Sequence, residues 1–189
     1  GPITVEAWVR PHAGVVGSPW WPNLVGKRES NSVYPTWVLG FTPSLGLYSV
    51  REGGWWNGNT SVLLNTWIHV AVVWDGATLE LFVDGQPDLN IAASWMGPSN
   101  GQDVYVGTLP DNTQNYEGDI ASARVSTVAR YTAAFVPSGG WLPDADTALL
   151  LGLEEGSGAL AADDSGLGND GLIVGADWIA GLPGWLCSP

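Results

Sequence analysis

Two pairs of adjacent tryptophans are the residues of this 189-residue sequence best suited to bind something. Trp20 and Trp21 lie in GSPWWPN, and Trp55 and Trp56 lie in GGWWNGNTS. Each pair stands among Gly, Pro and Asn, so an exposed turn is expected, and two neighbours cannot readily enter one core. Indole faces stack on the flat apolar faces of sugar rings, and the amides of Asn23, Asn57 and Asn59 could bond the hydroxyls. The alternative is that each pair closes over the end of the fold as a lid or buries in a subunit contact. Tryptophan supplies 12 residues in all, more than core packing alone would call for.

A second constellation is rich in oxygen. Residues 163–171 read DDSGLGNDG, with Asp163, Asp164, Asn169 and Asp170 set around tight glycines. Calcium takes about six to eight oxygen ligands of this kind, so it is the cofactor to expect here. The loop is not an EF-hand, because the closing glutamate is absent. The competing reading is a glycine-rich turn whose Asp and Asn side chains cap their own backbone. Asp111, Asn112 and Asn115 form a second, sparser set.

Other reactive residues lack partners at useful spacing. His69 sits in a strand-like run with no second ligand nearby and is expected to satisfy a backbone carbonyl; His12 is far away in a loop. No serine occupies a G-x-S-x-G turn, and the single cysteine, Cys187, has no histidine partner and allows no internal disulfide. Glu154 and Glu155 are consecutive, so on a strand they point to opposite faces. The formal charge of −13, with six Lys and Arg, makes nucleic acid and anionic membrane surfaces poor partners. No apolar run reaches the length of a membrane span, and no signal peptide is visible. Gly1 and Pro2 read equally as a processed terminus or a protease scar.

The elements that must position these groups are strands. Residues 65–85, NTWIHVAVVWDGATLELFVDG, read as two β runs joined by Asp75-Gly76-Ala77, a strong hairpin signal. Both faces of WIHVAVVW are apolar, which predicts a strand buried on both sides. Gly 26 and Pro 13, with no sustained helical period, point to an all-β chain, and 189 residues suit one domain of sandwich size.

This hairpin resembles the W-x-H-V-A-x-x-x-D-G…L-x-L-Y-V-D-G signature of laminin G-like domains in the concanavalin A-like lectin/glucanase superfamily. Trp67, His69, Val70, Ala71, Asp75, Gly76, Leu79, Leu81, Phe82, Val83, Asp84 and Gly85 match it. ITVEAWVRP at 3–11 is similar to the family strand F-T-V-E-x-W-V-x-P, and residues 116–125 are similar to F-x-G-x-I-D-E-V-R-I, with Ala121-Ser122 in place of the acidic pair. The resemblance implies an antiparallel β-sandwich of jelly-roll type, with residues 3–137 as its main body. Residues 145–178 resemble the opening strands of the family yet come last. They are expected to fold back and complete the sheets, the alternative being the start of a further repeat. WVLGFT and LGLYSVRE read as a hairpin around Pro43-Ser44, whereas 53–61 reads as an exposed turn and 86–103 as loop.

Relatives that cleave glucans carry E-x-D-x-E or E-x-D-x-x-E on one strand. The nearest match here, Glu117-Gly118-Asp119-Ile120-Ala121-Ser122, lacks the second glutamate, so glycoside hydrolysis is disfavoured. Non-catalytic binding of a glycan or polysaccharide by a secreted or cell-surface module is therefore expected. The alternative is an extracellular structural or adhesion subunit that self-associates.

Overall fold

The computed structural model describes residues 1–28, 37–51, 54–93, 101–180 and 184. Cys187 and Trp95 lie outside the described residues. The described chain is an antiparallel β-sandwich whose one helical turn is a 3₁₀ piece, Ala13–Val15.

Six strands form one sheet. β1 (Ile3–Pro11) and β6 (Ile68–Trp74) are central, β7 (Thr78–Val83) and β8 (Gln86–Ala92) continue to one edge, and β10 (Gly118–Ser126) and β11 (Thr147–Leu151) to the other, in the order β11-β10-β1-β6-β7-β8. The facing sheet runs β5-β4-β3-β2-β9, built from β2 (Asn23–Lys27), β3 (Trp37–Phe41), β4 (Gly46–Arg51), β5 (Gly54–Ser61) and β9 (Tyr105–Val106). A small ribbon pairs β12 (Leu160–Ala161) with β13 (Gly171–Leu172).

The β6–β7 hairpin forms where the pattern places it, with Val72 opposite Leu81 and Trp74 opposite Leu79. Asp75 fixes the turn, its carboxylate accepting the N–H groups of Ala77 and Thr78 at 2.8 and 2.7 Å. Asp84 and Gly85 then both adopt positive φ, 47° and 70°, which is the backbone a two-residue turn into β8 requires. Alternation along β1, β6, β7, β10 and β11 sends Val5, Val70, Leu81, Val125 and Leu149 inward against Leu39, Phe41 and Leu47 of the other sheet.

β6 is buried on both faces, and the cover on its outer side is not a third sheet. Residues 127–143 cross that face as a strap, with Tyr131 and Phe135 packed on Ala71, Val73 and Phe82, and Trp141 packed on Trp8. Under the strap sits a charged cluster. Glu6, fully buried, accepts hydrogen bonds from Arg124 Nε at 2.7 Å and Tyr131 Oη at 2.8 Å, and His69 Nε2 lies 2.9 Å from its Oε2. The partner of His69 is thus a carboxylate and not the backbone carbonyl that the sequence suggested. Burial alone would raise the Glu6 carboxyl, but His69, Arg124 and Tyr131 outweigh it and hold it below its ordinary value.

Two expectations are corrected. Residues 54–61 form a strand, not an exposed turn, and 86–92 form a strand, not loop. Both are edge strands that pair on one side only, where Gly, Asn and Pro87 are tolerated because half of the backbone groups need no ladder partner. β11 pairs with β10, Leu149 opposite Val125 and Leu151 opposite Ala123, so the tail supplies an edge of the six-stranded sheet.

Candidate functional site

The outer face of the five-stranded sheet carries the site, and β4 and β5 set its geometry. Residues i and i+2 share a face of a strand, so Tyr48 and Val50 of β4 stand beside Asn57 and Trp55 of β5, to which they are paired. Trp55 stacks on Tyr48, ring centroids 6.1 Å apart and planes 15° from parallel. Trp21, arriving from the loop before β2, meets Trp55 edge-on at 5.5 Å and Tyr48 at 5.0 Å. Tyr48 is fully buried beneath them and donates its hydroxyl to the Trp21 carbonyl at 3.2 Å; burial pushes that phenol well above its ordinary value, so it stays a neutral donor. Trp55 remains 58% exposed, leaving one indole face open.

Beside these rings lies a shallow cleft of about 370 Å³, lined by Trp21, the Thr42–Ser44 turn and residues 57–61. Its floor exists because β5 bulges. Gly46 pairs with Ser61 and Tyr48 with Asn57, so β5 spends two more residues than β4 over that span. Asp88 of β8 reaches across from the other sheet to hold the bulge. Its Oδ1 accepts the N–H groups of Asn59 at 3.1 Å and Thr60 at 2.8 Å, and its carbonyl accepts the Asn59 side-chain amide. Gly58 permits this approach, because a Cβ there would overlap Asp88 Oδ2.

The structure brings together only part of the set read from sequence. Trp21, Asn57 and Asn59 line the cleft, and Trp55 adjoins it through its edge-on contact with Trp21. Trp20 is 52% exposed but does not line it. Trp56 is corrected outright: adjacent residues of a strand point to opposite faces, and it packs against the interior cluster. Asn23 is likewise corrected. It is fully buried, and its amide donates to the carbonyls of Thr108 at 2.6 Å and Tyr105 at 3.4 Å. Tyr48 and Asp88 were missed. Tyr48 reads as an ordinary strand aromatic, and no local signal marks a carboxylate that serves the opposite sheet.

The acidic loop of the tail makes the backbone-capping bonds of the competing reading. Asp163 Oδ1 accepts the N–H groups of Leu150 and Ser165, both at 3.0 Å. Its Oδ2 accepts the Ser165 hydroxyl at 2.7 Å and the Asn169 N–H at 2.9 Å. Asp170 accepts the Asp163 N–H at 2.9 Å, and the Asn169 side-chain amide donates to the Ala148 carbonyl at 3.2 Å. Burial would raise the Asp163 carboxyl, but these donors prevail and hold it below its ordinary value. Four converging donors occupy the lone pairs of Asp163, so this carboxylate cannot also hold a cation without giving up the turn; Asp164 stands apart, against Gly152. Calcium added to chelator-stripped protein is therefore expected to leave the melting curve unchanged, whereas Asp163→Ala should cost about 2 kcal/mol by orphaning these donors. A calcium-dependent rise in melting temperature would contradict this assignment.

Carboxylates elsewhere are also engaged. Asp119 takes Arg10 Nε at 2.6 Å and lies 2.9 Å from His12 Nε2, and Glu155 accepts the Ala162 N–H at 2.6 Å. Among the described residues, no cluster of three or more His, Cys, Asp or Glu could hold a metal, and no helix is long and apolar enough to cross a membrane.

A laminin G family model, described as the concanavalin A-like lectin/glucanases superfamily, matches residues 1–134. Solved structures with the same fold include a Bacteroides ovatus ATCC 8483 protein assigned to carbohydrate binding, at TM-score 0.63 and 17% identity over 87% of this chain and 50% of that one. This chain thus spans half the length of that protein. A heptameric SAP-like pentraxin from Limulus polyphemus superimposes at TM-score 0.50 and 15% identity, over 69% of this chain and 65% of that one. The CBM40 module of a Ruminococcus gnavus IT-sialidase, bound to α2,3 sialyllactose, does so at 0.51 and 14%, over 63% and 71%. No curated protein matches the sequence. At these identities the likeness establishes the shared sandwich.

Proposed function

The chain belongs to the concanavalin A-like lectin/glucanases superfamily, and from that premise we propose that it binds a glycan on the outer face of its five-stranded sheet without cleaving it. The observation that carries this reading is the aromatic corner. Trp55 is backed by Tyr48, walled by Trp21 and open on one face, and a cleft of uncharged amides and hydroxyls continues from it. A stiff, pre-stacked indole offers contact area at little entropic cost. Asn57 is exposed beside it, and the Asn59 amide nitrogen is held by Asp88, which leaves the amide oxygen of Asn59 for a hydroxyl. No carboxylate stands among the described residues of the cleft, so the pair that glycoside hydrolysis needs is not at hand there. Polysaccharide and cell-surface glycan are extracellular, and we place the module there.

An open, shallow site gives modest affinity for a short sugar, around 10⁻³ to 10⁻⁵ M, or roughly 4 to 7 kcal/mol. Affinity electrophoresis through polysaccharide gels tests the site. Trp55→Ala should weaken retention about thirtyfold, the loss of a hot-spot contact of about 2 kcal/mol, and should change the melting temperature little. Trp56→Ala should do the reverse, lowering the melting temperature and sparing retention of the folded protein. If the two variants exchange these phenotypes, the binding face has been put on the wrong side of β5.

A further inference from the structure

We infer that this cleft selects neutral glycan chains and rejects uronate, sulfated and sialylated ones, an inference that rests on the binding face proposed above. Among the described residues, the cleft is lined only by Trp, Thr, Pro, Ser, Gly and Asn. An acidic sugar placed there would exchange the hydration of its carboxylate for groups that carry no positive charge, and that desolvation is not repaid.

The charge beneath the floor adds to the penalty. Asp88 is 7% exposed, and only its Oδ1 is occupied by backbone donors. Its Oδ2 is buried without a hydrogen-bond partner, directly under Gly58. A carboxylate so incompletely neutralised projects negative potential through the bulge into the cleft. Among the described residues, Arg28 does not offset it for a ligand. Arg28 is 2% exposed and lies in the field of Tyr48 and Asp111. Long-range charge acts in the same direction, since the whole chain carries a formal −13. The same carboxylate thus builds the cleft, by pinning Asn59 and Thr60, and sets the sign of what enters it.

Affinity electrophoresis and titration calorimetry on matched polymers separate this inference from the binding proposal. The probes are a neutral glucan, mannan and galactan, each also oxidised at C6 to its uronate, at about 0.02 M and about 0.5 M salt. For a neutral polymer bound in a Trp55-dependent way, the uronate form should bind at least about tenfold more weakly at low salt, and the gap should shrink at high salt. Asp88→Asn, which keeps the Oδ1 acceptor and removes the charge, should bring the uronate closer to its neutral parent. Uronate and neutral forms bound equally at low salt would overturn the selectivity and leave the glycan site standing. Retention of the uronate alone would overturn it as well. If no polymer is retained, the binding face itself fails, and this inference with it. Should Asp88→Asn not fold, the salt comparison on the unaltered protein still decides.

Discussion

Ending the chain at Asp146 is expected to abolish cooperative unfolding. The segment removed contains β11, whose Leu149, Leu150 and Leu151 are all nearly buried. At about 1.5–3 kcal/mol for each leucine, burial there stabilises the fold by roughly 5–9 kcal/mol. A domain of this size holds only about 5–15 kcal/mol in total, so most of the margin disappears. The cut also bares the outer edge of β10, a row of unpaired backbone groups prone to pair with another chain. Aggregated protein, or a broad melt without near-ultraviolet dichroism, is the expected result. A truncated chain that melts as sharply and as high as the intact one would show that β11 is dispensable.

The second large effect comes from under the strap. Glu6→Gln is expected to destabilise the protein by about 3–5 kcal/mol, because it leaves the buried Arg124 guanidinium without its counter-charge. Glutamine is close in shape, so the loss is electrostatic and does not reflect a cavity. The pH dependence has a definite sign. The Glu6 carboxyl is held below its ordinary value of 4.5, so its contribution is complete above that pH and is lost as pH falls through the folded value. The stability gap between wild type and Glu6→Gln, measured by urea denaturation, should be widest near neutrality and close as the solution is acidified below about 4.5. A gap that stays constant down to about pH 3 would mean that packing and not charge sets the effect.

Much of this fold was legible because β signals are local. The alternation in 67–83 with Asp75-Gly76 between its halves, and the apolar positions of 3–9, each specify a strand and its inward face. The double-sided burial of β6 was legible too, although nothing in the hairpin itself says that Tyr131, Phe135 and Trp141 arrive to cover it. Edge strands were not legible. β5 reads GWWNGNTS, a composition that signals a turn, and only pairing with β4 makes it extended. That one error propagated into the site. In a turn, Trp55 and Trp56 could share a surface; on a strand, they cannot. Asn23 failed for a related reason, since β2 begins there and its side chain is drawn inward to the 105–108 carbonyls. Contacts between sheets, such as Asp88 on the β5 bulge, separate residues by nearly thirty positions and leave no periodic trace.

The most direct test of the binding face reads the tryptophans individually. Indole N–H resonances report each ring separately, and the sequence offers 12 of them. Trp8 and Trp74 provide internal controls, because their indole N–H groups are already bonded to the carbonyls of Ser138 at 2.7 Å and Ala93 at 2.9 Å. On titration with a neutral oligosaccharide taken from a polymer the protein retains, the Trp55 and Trp21 indole signals should shift, while those of Trp8, Trp74 and Trp56 stay in place. Shifts centred on Trp56 or on the strap residue Trp141, with Trp55 unmoved, would contradict the account.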